Sequence, residues 1–182
     1  MAKLVENTYG DALFDLAVQE SKVDSLYEEA KAVIQAFDNN SELGKLLNHP
    51  KIEKEEKEKV IENIFGQFVS KDMTGLLYIM VAKDRQNKIV DTLKYFEARV
   101  MEHKRIGRAH VATAKPLSDD QKKKVVDRLL ATTSYVDFNI DYAIDESIIG
   151  GMVIRIGDRV VDSSIRTKLD ELAKDLRKIQ LA

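Results

Sequence analysis

Near Gly107 the spacing of apolar residues changes, and that change constrains the fold more than any other feature of the chain. Before it, apolar residues recur every three or four positions, as the buried face of a helix requires. After it, Val and Ile cluster in short alternating runs, the period of a strand with one face covered. Only two prolines, Pro50 and Pro116, interrupt 182 residues, so long helices are permitted almost everywhere. The reading is two domains: an all-helical one over 1–105 and a smaller α/β one over 106–182.

The helical part parses into six segments. The first runs from Leu4 to Gln19. The second carries Val23, Leu26, Tyr27, Ala30, Val33, Ile34 and Phe37 on one stripe. A short third follows Ser41, read as its N-cap, and stops at His49-Pro50. The fourth is charged from Lys51 to Lys59 and turns apolar at Val60, Ile61, Ile64 and Phe65. The fifth spans about Lys71–Lys83 and the sixth about Asn87–Arg105. Together they predict an antiparallel six-helix bundle.

Beyond Gly107 the predicted order is β-α-β-β-β-α. A strand over Ala109–Ala114 ends before Pro116, and Ser118 caps a helix carrying Val125, Val126, Leu129 and Leu130. Val136, Phe138, Ile140, Tyr142 and Ile144 then alternate with polar residues. Met152–Ile156 and Arg159–Val161 flank Gly157-Asp158, a two-residue hairpin signal. A last helix starts near Ser163 or Ser164 with Ile165, Leu169, Leu172, Leu176 and Ile179 on one stripe, which reads as core.

Little in the chain suggests catalysis. Cysteine is absent, which excludes thiolate metal sites and cysteine nucleophiles. His49, His103 and His110 show no metal-ligand spacing, and Asp137 and Asp141 read as a solvated strand face. Gly150-Gly151 leads into a strand and lacks the Gly-Lys-Ser/Thr of a phosphate loop, so a bend or a close backbone approach explains it better. No cofactor and no metal are expected. With 29 basic against 31 acidic residues and 7% aromatics, a general nucleic-acid binder is disfavoured. The remaining alternative of that class is an RNA-associated adaptor using Arg105, Arg108 and Lys122–Lys124. No apolar run is long enough to span a membrane. Glu6, Asp11, Asp15 and Glu20 are unlike a targeting peptide, so a cytoplasmic chain is expected.

The positive signal is that two helices are too apolar. Segment one has a stripe of Val5, Tyr9, Ala12, Leu13 and Leu16 and a second of Gly10, Phe14 and Val18. Segment five has Met73, Leu76, Leu77 and Met80 on one face, and Gly75, Tyr78, Ile79 and Ala82 on another. Either both helices are central in the bundle, or one stripe of each forms a groove for a partner's amphipathic helix. Small residues (Gly10, Ala12, Gly75, Ala82) would let that helix approach closely. Periodicity leaves open which stripe of segment one faces outward.

The stretch Ala143-Ile-Asp-Glu-Ser-Ile-Ile-Gly-Gly-Met-Val-Ile-Arg-Ile-Gly-Asp-Arg-Val-Val-Asp162, followed by Ser163-Ser164-Ile165, resembles the C-terminal signature of a known family. Tyr9-Gly-Asp-Ala-Leu-Phe14, Asn48-His-Pro50, Lys83-Asp-Arg85 and Val111 through Ser118 extend the likeness over the whole chain. The family is the δ subunit of the F-type ATP synthase, counterpart of the mitochondrial oligomycin-sensitivity-conferring protein. Two departures stand out: Ser163 replaces a usual Gly, and Gly10 a commoner Ala.

The resemblance implies a non-catalytic peripheral-stalk (stator) subunit, one copy per complex, on the cytoplasmic face of the plasma membrane without inserting into it. The N-terminal helix of an α subunit would bind Tyr9, Ala12, Leu13 and Leu16 facing Gly75, Tyr78, Ile79 and Ala82. The C-terminal region of the b subunits would bind somewhere after residue 107. No nucleic acid is implied.

Overall fold

The computed structural model describes residues 2–180, with side chains over 5–176. Two compact units divide at Met101/Glu102.

Unit one holds α1 (Ala2–Gln19), α2 (Val23–Asn39), α3 (Ser41–Leu47), α4 (Lys54–Phe65), α5 (Lys71–Ala82) and α6 (Ile89–His103), with a 3-10 turn at Gln86–Lys88 before α6. Its core takes one stripe from each helix: Leu26 and Val33, Leu47, Ile61, Met73, Leu77 and Met80, and Leu93 and Phe96 are all essentially inaccessible. Polar contacts fix the packing. Ser70 caps α5 by accepting from the Met73 N–H (3.3 Å), while its own N–H and hydroxyl donate to Glu29 on α2 (2.9 and 2.7 Å). The predicted cap Ser41 is instead the first residue of α3. Asn40 holds the N-cap position, with its side-chain amide donating to the Ala36 carbonyl at the end of α2.

Unit two holds β1 (Ile106–Thr113), α7 (Asp119–Thr132), β2 (Asp137–Ile144), β3 (Met152–Ile156), β4 (Arg159–Asp162) and α8 (Ile165–Gln180). The sheet order is β2-β1-β3-β4. β1 runs parallel to β2, which needs the crossover that α7 supplies, and antiparallel to β3. Gly157 turns the β3–β4 hairpin at φ +55°. α7 opens with a full capping box between Ser118 and Gln121. Its Val125 and Leu129 pack on Ala109, Val111 and Phe138 to form the core.

The Gly150-Gly151 bend is a close backbone approach. A Cβ on Gly150 would lie 2.7 Å from Ile165 Cδ1, and one on Gly151 (φ +79°) 2.4 Å from the Ser163 carbonyl oxygen. Ser163 itself avoids the left-handed region, so its replacement of a glycine costs no strain there. Its hydroxyl and N–H both donate to the Met152 carbonyl at 3.0 Å.

One expectation is overturned. The α8 stripe is not core: Ile165, Leu169, Leu172 and Leu176 are exposed, Leu176 to 64%. The helix touches unit two mainly at the turn Glu146–Ile148 and extends away from the sheet. The Ile179 side chain lies outside the described residues.

Candidate functional site

The doubled stripes resolve differently in the two helices. On α5, Met73, Leu76, Leu77, Met80 and Val81 face inward, while Tyr78 and Ile79 are about half exposed and Gly75 and Ala82 lie between them. α5 is therefore not a central helix; it presents an apolar outer face. A Cβ on Gly75 would meet nothing within 4 Å, so that face has an open shelf at its centre.

Two links place α1 alongside α5 in antiparallel fashion. Just past the end of α1, Lys22 pairs with Asp72 in the first turn of α5 (3.0 Å). Toward the start of α1, the Tyr9 hydroxyl accepts from Arg85 (3.0 Å), just beyond the end of α5. Asp72 and Ile79 are seven residues apart and share one flank, so Ile79 lies on the α1 edge. Tyr78 lies on the opposite edge, by α4. There its phenol bonds to Glu58 and feels the charges of Glu58 and Glu55, which hold its pKa above the usual tyrosine value.

On α1 the structure chooses the stripe that periodicity left open. Gly10 is buried, and a Cβ there would strike Tyr95 Cδ1 of α6 at 2.4 Å. Asp11 accepts from Tyr95 (3.1 Å) and Arg99 (3.2 Å), and Arg99 lies over the Phe14 ring. The Gly10/Phe14 flank thus faces α6. Gly10 serves helix packing, not an outer surface, which corrects its place among the small groove residues. Ala12 is exposed, and Tyr9 and Leu16 are half-buried on the α5 side. Leu13, only 5% exposed, belongs to the core and supports that surface from beneath.

A second surface lies on unit two. The α8 stripe is uncovered, and Ile149 beside it is 60% exposed. Ile149 has φ +67° and ψ −42°, and the Gly150 N–H donates to the Ile148 carbonyl across it (2.8 Å). This is a γ-turn centred on a β-branched residue, a costly backbone that persists only where its surroundings enforce it. The junction with α8 does so: the Ile165 N–H donates to the Gly150 carbonyl (2.9 Å), and buried Ser164 caps α8 by accepting from the Thr167 N–H (3.2 Å).

The basic residues proposed for RNA do not form one surface. Arg108 lies on the sheet face opposite Ala109 and Val111, hence opposite α7, which carries Lys122–Lys124. Lys122 sits over the Tyr142 ring at 5.7 Å. His110 bonds Asp141 (3.0 Å) across adjacent strands. Among the described residues no group of acids and histidines is disposed to hold a metal, and no helix is long and apolar enough to cross a membrane.

Each of the two units leaves an apolar helix face uncovered, as a subunit of a larger assembly does. The model of the ATP synthase delta (OSCP) subunit family matches residues 5–176. A relative from Lachnoclostridium phytofermentans named ATP synthase subunit delta is 54% identical over the full length of both chains. One of the same name from Halalkalibacterium halodurans is 33% identical over 94% of each. A chain in the Toxoplasma gondii mitochondrial ATP synthase hexamer has the same fold, with a TM-score of 0.73 at 23% identity, covering 94% of this chain and 96% of its own. The chain belongs to the ATP synthase delta (OSCP) subunit family: it is a peripheral-stalk component of the F-type ATP synthase and a structural subunit of it.

Proposed function

We propose that unit one, as the family's six-helix bundle, holds the amphipathic N-terminal helix of an α subunit on the outer face of α5 and the adjoining flank of α1. One domain, 1–105, serves the α subunit, and the other, 106–182, serves the b subunits. Ile79, Ala12 and Leu16 form one wall, Tyr78 the other, and Gly75 with Ala82 the floor. The observation that carries this reading is the uncovered apolar face of α5 with open space above Gly75. Beyond Tyr78 the acids Glu55 and Glu58 favour a basic flank on the incoming helix.

The b subunits would pack along Ile165, Leu169, Leu172 and Leu176 of α8. That stripe steps by four, three and four residues, the period of a coiled-coil seam. The subunit, one per complex and non-catalytic, would sit peripherally at the cytoplasmic face of the membrane. There it joins head to stalk, so that rotor torque drives synthesis and does not turn the head. Slow release suits a joint under load.

The test is an NMR titration of labelled protein with a peptide of the cognate α N-terminal helix. Saturable shifts over residues 5–16 and 75–82 are expected. A folded protein with no shifts there would overturn the α site.

A further inference from the structure

The sheet of unit two has a second face, turned away from α7. Along β1 the period of two puts Arg108 and His110 on that face, with Ala109 and Val111 in the core. Strand pairing fixes their neighbours. Asn139 of β2 stands beside Arg108, and His110 stands between Asp141 of β2 and Arg155 of β3. One step past the Ala109–Ile156 pair, Gly157 falls opposite Arg108 and adds no side chain. A Cβ there would meet nothing within 4 Å. The result is a shallow cavity of about 450 Å³ lined by Arg108, His110, Asn139, Asp141, Arg155 and Gly157.

The charges on this face are unequally engaged. Asp141 bonds His110 Nδ1 (3.0 Å), and Asp137 accepts from the Phe138 N–H (2.7 Å). Arg108 and Arg155 have no hydrogen-bond or ion-pair partner among the described residues. They are diagonal neighbours on adjacent antiparallel strands, a relation that sets Cα atoms about 7–8 Å apart. Two guanidinium forks at that spacing can close on one small anion, with the Asn139 amide as a further donor.

His110 selects the anion. A carboxylate only accepts, so the Asp141 bond places the proton of a neutral imidazole on Nδ1. Nε2, on the far side of the ring, is then a bare acceptor directed toward Arg155. An oxyanion that meets this set must offer charge to the arginines and a proton to Nε2. Phosphate keeps a P–OH at neutral pH and does both; sulfate carries no proton there.

We propose that this face binds inorganic phosphate: Arg108 and Arg155 hold its charged oxygens, Asn139 donates to another, and His110 Nε2 accepts its P–OH. The site lies on the opposite sheet face from α7 and shares no residue with the α1/α5 face or the α8 stripe. ATP synthesis consumes phosphate, so occupancy would follow the supply of a substrate of the complex; that step alone rests on the family reading.

The experiment is an NMR titration of the full labelled chain with inorganic phosphate, in a phosphate-free buffer at constant ionic strength. Saturable shifts at residues 108–110, 139–141 and 155–157 are expected at roughly 1 mM, with sulfate at least tenfold weaker. Arg108→Gln and Arg155→Gln, both on exposed positions, should each weaken phosphate at least tenfold. Asp141→Asn is the sharper variant, because its amide can donate to Nδ1 and let the ring proton move to Nε2. Sulfate should then bind as well as phosphate. Shifts that do not saturate, equal binding of sulfate by the native chain, or an affinity indifferent to both arginine changes would overturn the proposal. So would a phosphate preference that survives Asp141→Asn, or a response to phosphatidic acid vesicles with none to free phosphate. The α-peptide titration reads residues 5–16 and 75–82 alone, so either result can fail while the other stands.

Discussion

Leu77 and Ile79 are two positions apart on α5 and have opposite roles. Leu77 is fully buried, so Leu77→Ala should cost about 2–5 kcal/mol of stability through the cavity it leaves. Ile79 is 48% exposed. Ile79→Glu, or Ala12→Arg on α1, should leave the melting temperature nearly unchanged. Each should weaken α-peptide binding by about 3 kcal/mol, roughly a hundredfold, by placing a charge against an apolar helix. Calorimetry and peptide anisotropy separate the two effects; wild-type affinity in both folded variants would count against the face. Asp162 offers a pH-dependent counterpart. Its carboxylate accepts from the Ser164 N–H (2.8 Å) and the Thr167 hydroxyl (2.7 Å), and these bonds hold its pKa below the ordinary value. Because the folded value is the lower one, its contribution is complete above the unfolded value of about 3.9 and fades as pH falls through the folded value. Asp162→Asn should therefore speed amide exchange at Ser164 and Thr167 at neutral pH, with the difference shrinking as pH falls through the folded value and the native carboxyl is neutralised too.

At the scale of elements, α5 and α8 each present an outer face that their own unit leaves uncovered. Gly75→Ala tests the first. With open space above it, the added methyl should stabilise α5 by about 0.5–1 kcal/mol, while narrowing the floor enough to weaken the α peptide roughly tenfold. A variant that melts higher and binds worse is the expected signature. For α8, Leu169→Asp with Leu172→Asp should leave the melting curve in place and reduce b-subunit binding at least tenfold, since both side chains are more than half exposed. A collapse of the melting curve would restore the core reading. These two helices also mark how far the sequence could be read. Period alone identified the helices, the strands and the Gly157 hairpin, because each follows from local chemistry. It could not say what covers a stripe: the spacing of Ile165, Leu169, Leu172 and Leu176 is the same whether a sheet or a foreign helix lies on it. Gly10 failed in the same way, since nothing local distinguishes a glycine that admits Tyr95 from one that admits a partner.

For the whole molecule, two separate cores predict two unfolding transitions. Unit two, with β4 exposed along its whole length and half of one sheet face bare, should melt first. Saturating α peptide should shift only the upper transition, by about 2.7 kcal/mol at a hundred times Kd, and calorimetry on the full chain checks this. The position of β1 has a consequence in time. It is the first strand of its unit to be made, and it is the one against which both β2 and β3 register. Neither neighbour has been made when its own synthesis ends. At about 5–20 residues per second, β1 waits several seconds for β3, with backbone donors and acceptors open on both edges. The helical unit, rich in local contacts, will already have folded by then. In the nascent chain the hazard therefore falls on one strand, Ile106–Thr113, and there the outward-facing Arg108 puts a positive charge on the strand that a foreign edge would have to accommodate.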